Sequence, residues 1–242
     1  MATQLLFRDD AYLRETTATV TALTPEGGII TDRTVFYANA GGQPGDTGVL
    51  RRASGAEIAL ATAVYGPDKA DVIHVPAQTT GTGGGELPDI GESVTLVLDW
   101  DIRHKRMRMH TLLHLLSVAL PYPVTGGSIG DAEGRLDFDI PEANLDKDAI
   151  TAKLAEMIAT GAAVTESWIT DEELLANPGL IKTMSVKPPM GTGRVRLVAI
   201  EGLDLQPCGG THVRSLKEIG AALVTKIEKK GQQNRRVRVA WA

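Results

Sequence analysis

The sequence predicts an α+β protein, with a small N-terminal β-barrel module over residues 1–99 and an α+β domain over residues 100–242. Three observations lead there. Up to Trp100 the chain is a series of short β-branched runs cut by glycine, proline or aspartate, the pattern of a small barrel. After Asp101 the period lengthens to that of amphipathic helices alternating with strands. The second part also holds two matched pairs of metal-ligating side chains, His110/His114 and Cys208/His212.

The runs Thr17–Leu23, Gly28–Tyr37, Glu57–Val64, Ala70–Val75 and Ser93–Leu98 read as strands, and only the first dozen residues hint at a helical period. Between them, Gln78–Glu86 is rich in threonine and glycine and reads as a mobile hairpin tip or insertion. The boundary falls near Asp99–Asp101. Arg103–Leu120 is a strong amphipathic helix stopped by Pro121, Asp146–Thr160 is a second, and Asp171–Asn177 a short third halted by Pro178. Arg194–Ile200, Ala221–Glu228 and Arg235–Trp241 read as strands, with Cys208 in the loop between the first two. Asp137 and Asp139 alternate around Phe138 as on an exposed strand face. Trp100, Trp168 and Trp241 are expected in core or rim packing.

A hydrophobic fraction of 43% and a charged fraction of 23% are ordinary for a globular protein. No apolar run has the length to cross a bilayer, and Arg8, Asp9 and Asp10 stand where a signal peptide would need an apolar stretch. The one cysteine excludes an internal disulfide and suits a reducing compartment, so the cytoplasm is expected. The net charge of −5 argues against nucleic acid on average, but its distribution argues the other way. Ten of the 25 Lys and Arg lie in two runs, Arg103, Lys105, Arg106, Arg108 and Lys226, Lys229, Lys230, Arg235, Arg236, Arg238, on either side of the ligand pairs. Such runs suit an anionic partner, with Arg106, Arg108, Lys229 and Arg235 as the expected phosphate contacts.

The ligand pairs carry the chemistry. His110 and His114 are i and i+4, so one helix face presents both imidazoles. Cys208 and His212 repeat the interval across Gly209 and Gly210, where the backbone can fold tightly around one ion. Four such donors make a tetrahedral zinc site with one ion per chain, and spacing alone leaves a closed structural site as open as a catalytic one. His74 in its strand and His104 in its basic run are expected to be solvated, and Leu112, Leu113, Leu115 and Leu116 to pack the core. The absence of a glutamate after His110 disfavours a peptidase of the His-Glu-x-x-His kind.

His110-Thr-Leu-Leu-His114 and Cys208-Gly-Gly-Thr-His212, preceded by Thr34-Val-Phe-Tyr-Ala-Asn-Ala-Gly-Gly-Gln-Pro-Gly-Asp-Thr-Gly48, resemble the editing domain of alanyl-tRNA synthetase. More closely the chain is similar to the free-standing AlaX proteins of medium length, from Asp10-Ala-Tyr-Leu to the Lys226–Arg236 segment. Nothing resembles an aminoacylation domain or an ATP-binding motif, so no ATP is expected. Leu113 precedes the second histidine where the synthetases carry threonine; Thr111, after the first histidine, is the candidate for that role.

The resemblance implies hydrolysis of the ester on tRNA(Ala) carrying a wrong amino acid, typically serine. It implies zinc on His110, His114, Cys208 and His212, with Gly209 and Gly210 offering N–H donors to an oxyanion. Gly41, Gly42, Gln43 and Asp46 either build turns between strands or form a pocket that hydrogen-bonds the serine hydroxyl. A zinc-stabilised RNA-binding module without catalysis is the alternative.

Overall fold

The computed structural model describes residues 2–77, 86–140, 144–182 and 193–242, so the expected hairpin tip lies outside the described residues except for Glu86. The protein is α+β, and it divides into two compact units, Met1–His104 and Lys105–Ala242. Among the described residues no helix is long and apolar enough to cross a membrane.

The first unit is built from β1 (Gln4–Leu5), β2 (Glu15–Leu23), β3 (Ile29–Thr31), β4 (Arg33–Thr34), β5 (Gly48–Arg52), β6 (Glu57–Tyr65), β7 (Val72–Pro76) and β8 (Ser93–Leu98). Six of these close a barrel in the order β2-β3-β7-β6-β5-β8, while β1 and β4 pair in parallel beside it. A barrel this small is filled by side chains. Alternate residues point inward, Ala18 and Val20 from β2, Ile58 and Leu60 from β6, and Val94, Leu96 and Leu98 from β8, around Ile29, Leu50 and Val72.

Two expectations change here. Gly28–Tyr37 is not one strand: it breaks at Asp32, whose carboxylate accepts the Thr19 N–H at 2.7 Å, and Val35, Phe36 and Ala38 continue as irregular buried chain. His74 is not solvated but fully buried on β7. Its Nδ1 lies 3.0 Å from the Ile29 carbonyl and its Nε2 2.8 Å from the Thr34 hydroxyl. Both ring nitrogens are therefore satisfied by a neutral imidazole that donates from Nδ1 and accepts at Nε2. Burial pushes its pKa down to about 4. Strand β5, which no expected run covers, starts at the last glycine of the motif. A Cβ at Gly48 would meet the Val97 carbonyl oxygen at 2.1 Å, so glycine there permits close strand approach.

Helix α1 (Trp100–Ala119) follows, its first turn capped by the Asp99 carboxylate on the Ile102 N–H. Near its start, His104 is half-buried and stacks on Trp100 with ring centroids 5.5 Å apart. The second unit adds β9 (Val124–Ile129), β10 (Glu133–Asp139), α2 (Lys147–Ala159), β11 (Val164–Thr170), α3 (Asp171–Ala176), β12 (Arg194–Ile200), β13 (Asp204–Pro207), β14 (Ala222–Lys230) and β15 (Asn234–Trp241). They form an antiparallel sheet in the order β14-β15-β10-β9 and a smaller one, β11-β12-β13. Asp146 caps α2 through the N–H groups of Asp148 and Ala149, and Thr170 with Glu173 makes a capping box on α3. Met107, Met109, Leu112, Leu113, Leu115 and Leu116 are buried, as expected of a helix surrounded by the core.

Candidate metal centre

Helix α1 and the turn after β13 bring His110, His114, Cys208 and His212 together, with one ligand atom from each lying within 4.8 Å of all the others. The Cys208 sulfur is 3.5 Å from His110 Nε2 and 3.3 Å from His212 Nε2. Donors at the usual zinc distances on a tetrahedron stand about 3.4–3.6 Å apart. The spacing and the donor chemistry, three imidazoles and a thiolate, therefore fit a zinc-sized ion. This cluster could hold a metal ion.

Each element delivers its donors for a local reason. In α1 the i to i+4 interval stacks His110 over His114, with ring centroids 5.2 Å apart. The second pair leaves β13 at Pro207, and its turn is held by Arg196 on the neighbouring strand β12. The Arg196 guanidinium donates to the carbonyls of Cys208 (3.0 Å) and Gly210 (2.8 Å) and pairs with Glu166, while its own carbonyl accepts the Cys208 N–H. Arg196 is 2% exposed, and nothing in its sequence position marks it as part of the site.

The buried rings are oriented by hydrogen bonds to their far nitrogens. Thr111 donates its hydroxyl proton to the Met107 carbonyl at 3.0 Å, so its oxygen accepts from His212 Nδ1 at 3.1 Å and leaves Nε2 for the cluster. His114 Nδ1 lies 3.2 Å from Asp204 Oδ2. His114 and His212 are buried, whereas His110 and Cys208 are half-buried and form the accessible side.

Electrostatics follow from this crowding. Burial opposes the Cys208 thiolate, but the neighbouring imidazoles of His110 and His212 outweigh it and hold the thiol well below its ordinary value. His212 is pushed well below the usual imidazole range by burial and by His110. For His114 burial acts downward, yet Asp204 and the Cys208 sulfur win and raise it to about 9. Metal binding requires the thiolate and neutral imidazoles, so it releases protons from the donors.

The other expected site residues take varied positions. Thr111 is buried on His212. Gly209 is half-buried, and a Cβ there would meet nothing within 4 Å; Gly210 is buried with its N–H 3.5 Å from the Cys208 sulfur. In the first unit Gly41 and Gly42 have φ of 57° and 83°, which side chains rarely adopt, and Gln43 is fully buried. The Asp46 carboxylate accepts the Tyr37 N–H at 2.6 Å and pairs with Arg103, so both side chains serve the interior of that unit.

Of the basic residues, Arg106 is 8% exposed and pairs with Asp131 at 2.7 Å. Arg108 donates to the Ile219 carbonyl at 3.0 Å and lies over the Trp241 ring. Lys229 is exposed, and Arg235 is half-buried on β15. Asp137 is not on a freely solvated face: Arg236 and Arg135 hold it, against burial, below the usual carboxylate range.

Residues 195–238 match the family model described as the threonyl and alanyl tRNA synthetase second additional domain. Over 97% of its length the chain is 34% identical to the alanyl-tRNA editing protein AlaX-M of Methanosarcina mazei, covering 95% of that protein. It is also 34% identical to the AlaX-M protein of Methanosarcina acetivorans, with 97% of both chains covered. The alanyl-tRNA editing protein AlaX-L of Pyrococcus horikoshii is 32% identical over 94% of this chain, which spans 55% of that longer relative. Similarity of this extent, running through both units and both ligand pairs, places the chain in the AlaX family of alanyl-tRNA editing proteins.

Proposed function

We propose that this protein is a trans-editing deacylase, which hydrolyses the aminoacyl ester of tRNA(Ala) carrying a wrong amino acid, serine foremost, in the cytoplasm. The observation that carries the reading is the His110–His114–Cys208–His212 cluster in a chain aligned along 97% of its length with a relative named an alanyl-tRNA editing protein. Zinc, which these four residues would hold, would supply a Lewis acid able to polarise an ester carbonyl or a water molecule, with His212 either completing the shell or yielding its place.

The rest of the chemistry belongs to the chain. His212 stays fixed through Thr111, a positioning residue, so the substrate approaches from the accessible His110 and Cys208 side. Gly209 and Gly210 lie beside that approach, and their backbone N–H groups are the donors suited to an oxyanion, Gly209 foremost because the Gly210 N–H already faces the Cys208 sulfur. The backbone of the Gly41–Gly42–Gln43 turn is the proposed reader of the serine hydroxyl, the Gln43 side chain being buried, and Asp46 keeps that turn in shape through Tyr37 and Arg103. A site built to bond a hydroxyl is left with unpaired polar groups by alanine and so spares it. Lys229 and Arg235 meet tRNA phosphates, with Arg106 and Arg108 contributing positive field from their internal positions.

Incubation of the zinc-loaded protein with seryl-tRNA(Ala) and with alanyl-tRNA(Ala) tests this. Rapid release of serine with alanine retained is expected. No serine release from zinc-loaded protein overturns the deacylase reading in favour of a zinc-stabilised RNA-binding module.

A further inference from the structure

We propose that Asp204 is a positioning residue for the metal centre: its carboxylate holds His114 in the one tautomer and ring orientation that offers Nε2 to an ion. The proposal rests on the reading of the four-donor cluster as a metal site. Asp204 begins β13, four residues before Cys208, and its side chain is fully buried. A buried carboxylate is costly unless each oxygen is matched. Here Oδ2 accepts from His114 Nδ1 at 3.2 Å and from Gln206 Nε2 at 2.6 Å, and Oδ1 pairs with Lys182.

The same strand grips the helix a second time. Gln206 Nε2 lies 3.4 Å from the Ser117 hydroxyl, which donates to the His114 carbonyl at 2.7 Å. Ring and backbone of His114 are thus both held from β13. The two buried imidazoles are treated differently: His212 rests on the neutral Thr111 hydroxyl, His114 on a carboxylate. A carboxylate acceptor raises the basicity of the opposite nitrogen as well as aiming it, so the His114 bond to the metal is the stronger for it.

Two measurements test this on the full chain. Zinc affinity is read by competition with a chromophoric chelator, and cobalt(II) substitution reports the ligand field, for wild type, Asp204→Asn and Lys182→Met. Asp204→Asn is expected to bind zinc about 10–100-fold more weakly and to shift the cobalt absorption bands. Lys182→Met removes only the ion pair on Oδ1, so its affinity is expected to stay near that of wild type. Wild-type affinity and spectrum in Asp204→Asn would overturn the proposal, as would an equal loss in Lys182→Met, which would assign Asp204 to charge balance alone.

Nitrogen-15 correlation spectra of the zinc-loaded wild type give a reading independent of any variant. A protonated Nδ1 and a metal-bound Nε2 on His114 are expected, and the opposite tautomer refutes the assignment. Wild-type protein that takes up no zinc fails the metal reading itself, a result distinguishable from these.

Discussion

Arg103 and Asp46 form an ion pair with side chains 0% and 1% exposed, inside the first unit. Each nitrogen of Arg103 has a partner: Nε also faces the carboxylate, and the terminal nitrogens donate to the carbonyls of Ala11 (3.0 Å) and Val35 (2.6 Å). The pair ties the glycine motif, through Asp46, to chain segments far apart in sequence. Removing one partner leaves a buried charge uncompensated, which costs about 3–5 kcal/mol. Urea denaturation of Arg103→Met and of Asp46→Asn is expected to show losses of that order. The double variant Arg103→Met/Asp46→Asn is expected to lose less than the two single losses combined, and additive losses would mean the residues act separately.

His74 makes the stability of the barrel depend on pH. Its folded pKa of about 4 lies below the ordinary value of 6.5, so between these values the unfolded chain binds a proton that the folded one refuses. Stability is therefore full above about pH 6.5 and falls as pH drops towards 4, by about 3 kcal/mol at the limit of 1.36 kcal/mol per unit. Unfolding midpoints measured from pH 7 to pH 4.5 should decline in wild type. In His74→Gln, which does not titrate, the part of the decline due to this residue should vanish.

Metal content is expected at about one zinc per chain when the protein is purified without chelator, held by the four donors. Cys208→Ala and His110→Ala, which alter the accessible side of the cluster, should strip the ion while circular dichroism retains most of the native signal. Elemental analysis settles the stoichiometry. Full zinc retention in a His114→Ala/Cys208→Ala double variant would remove these residues from the site.

Phosphate binding is expected to depend on Lys229 and Arg235. Replacing both by glutamine should weaken tRNA(Ala) binding, with zinc content unchanged. The slope of log affinity against log salt should fall by about one for each phosphate no longer neutralised. Arg106→Gln should act first on stability, because it unpairs Asp131 in the fold. An unchanged salt slope in the Lys229/Arg235 variant would return those two to the solvated surface.

The four-donor cluster was legible because its spacing is a local property. An i to i+4 pair needs only a helix, and a matched pair elsewhere needs only a turn. The residues that hold the quartet were not legible. Arg196 and Asp204 sit in strands as single charges, and only the register of β12 against β13 reveals that both face the donors. The helix bounds were legible within a few residues, since Asp146, Thr170 and Pro121 are strong stop and start signals. Strand β9 is not legible, and β10 is legible only around Phe138, because glycine reads as a turn. A Cβ at Gly134 would meet the Met109 sulfur at 2.6 Å, so this glycine marks close packing of strand on helix. Arg103 was grouped with the basic run by its neighbours in sequence, although its guanidinium points into the protein.

His110 and Cys208 lie 98 residues apart in the chain. An ion shared between them would be a cross-link, closing a loop that contains β9 to β13, α2 and α3. Closing a loop of that length restricts the unfolded ensemble by about 4–5 kcal/mol in the chain-entropy picture used for disulfides. Such a cross-link would join the two donor pairs only where the turn after β13 is in place, and β13 is paired with β12. Resistance to a chelator would then require the long-range contacts of the second unit, not the helix alone.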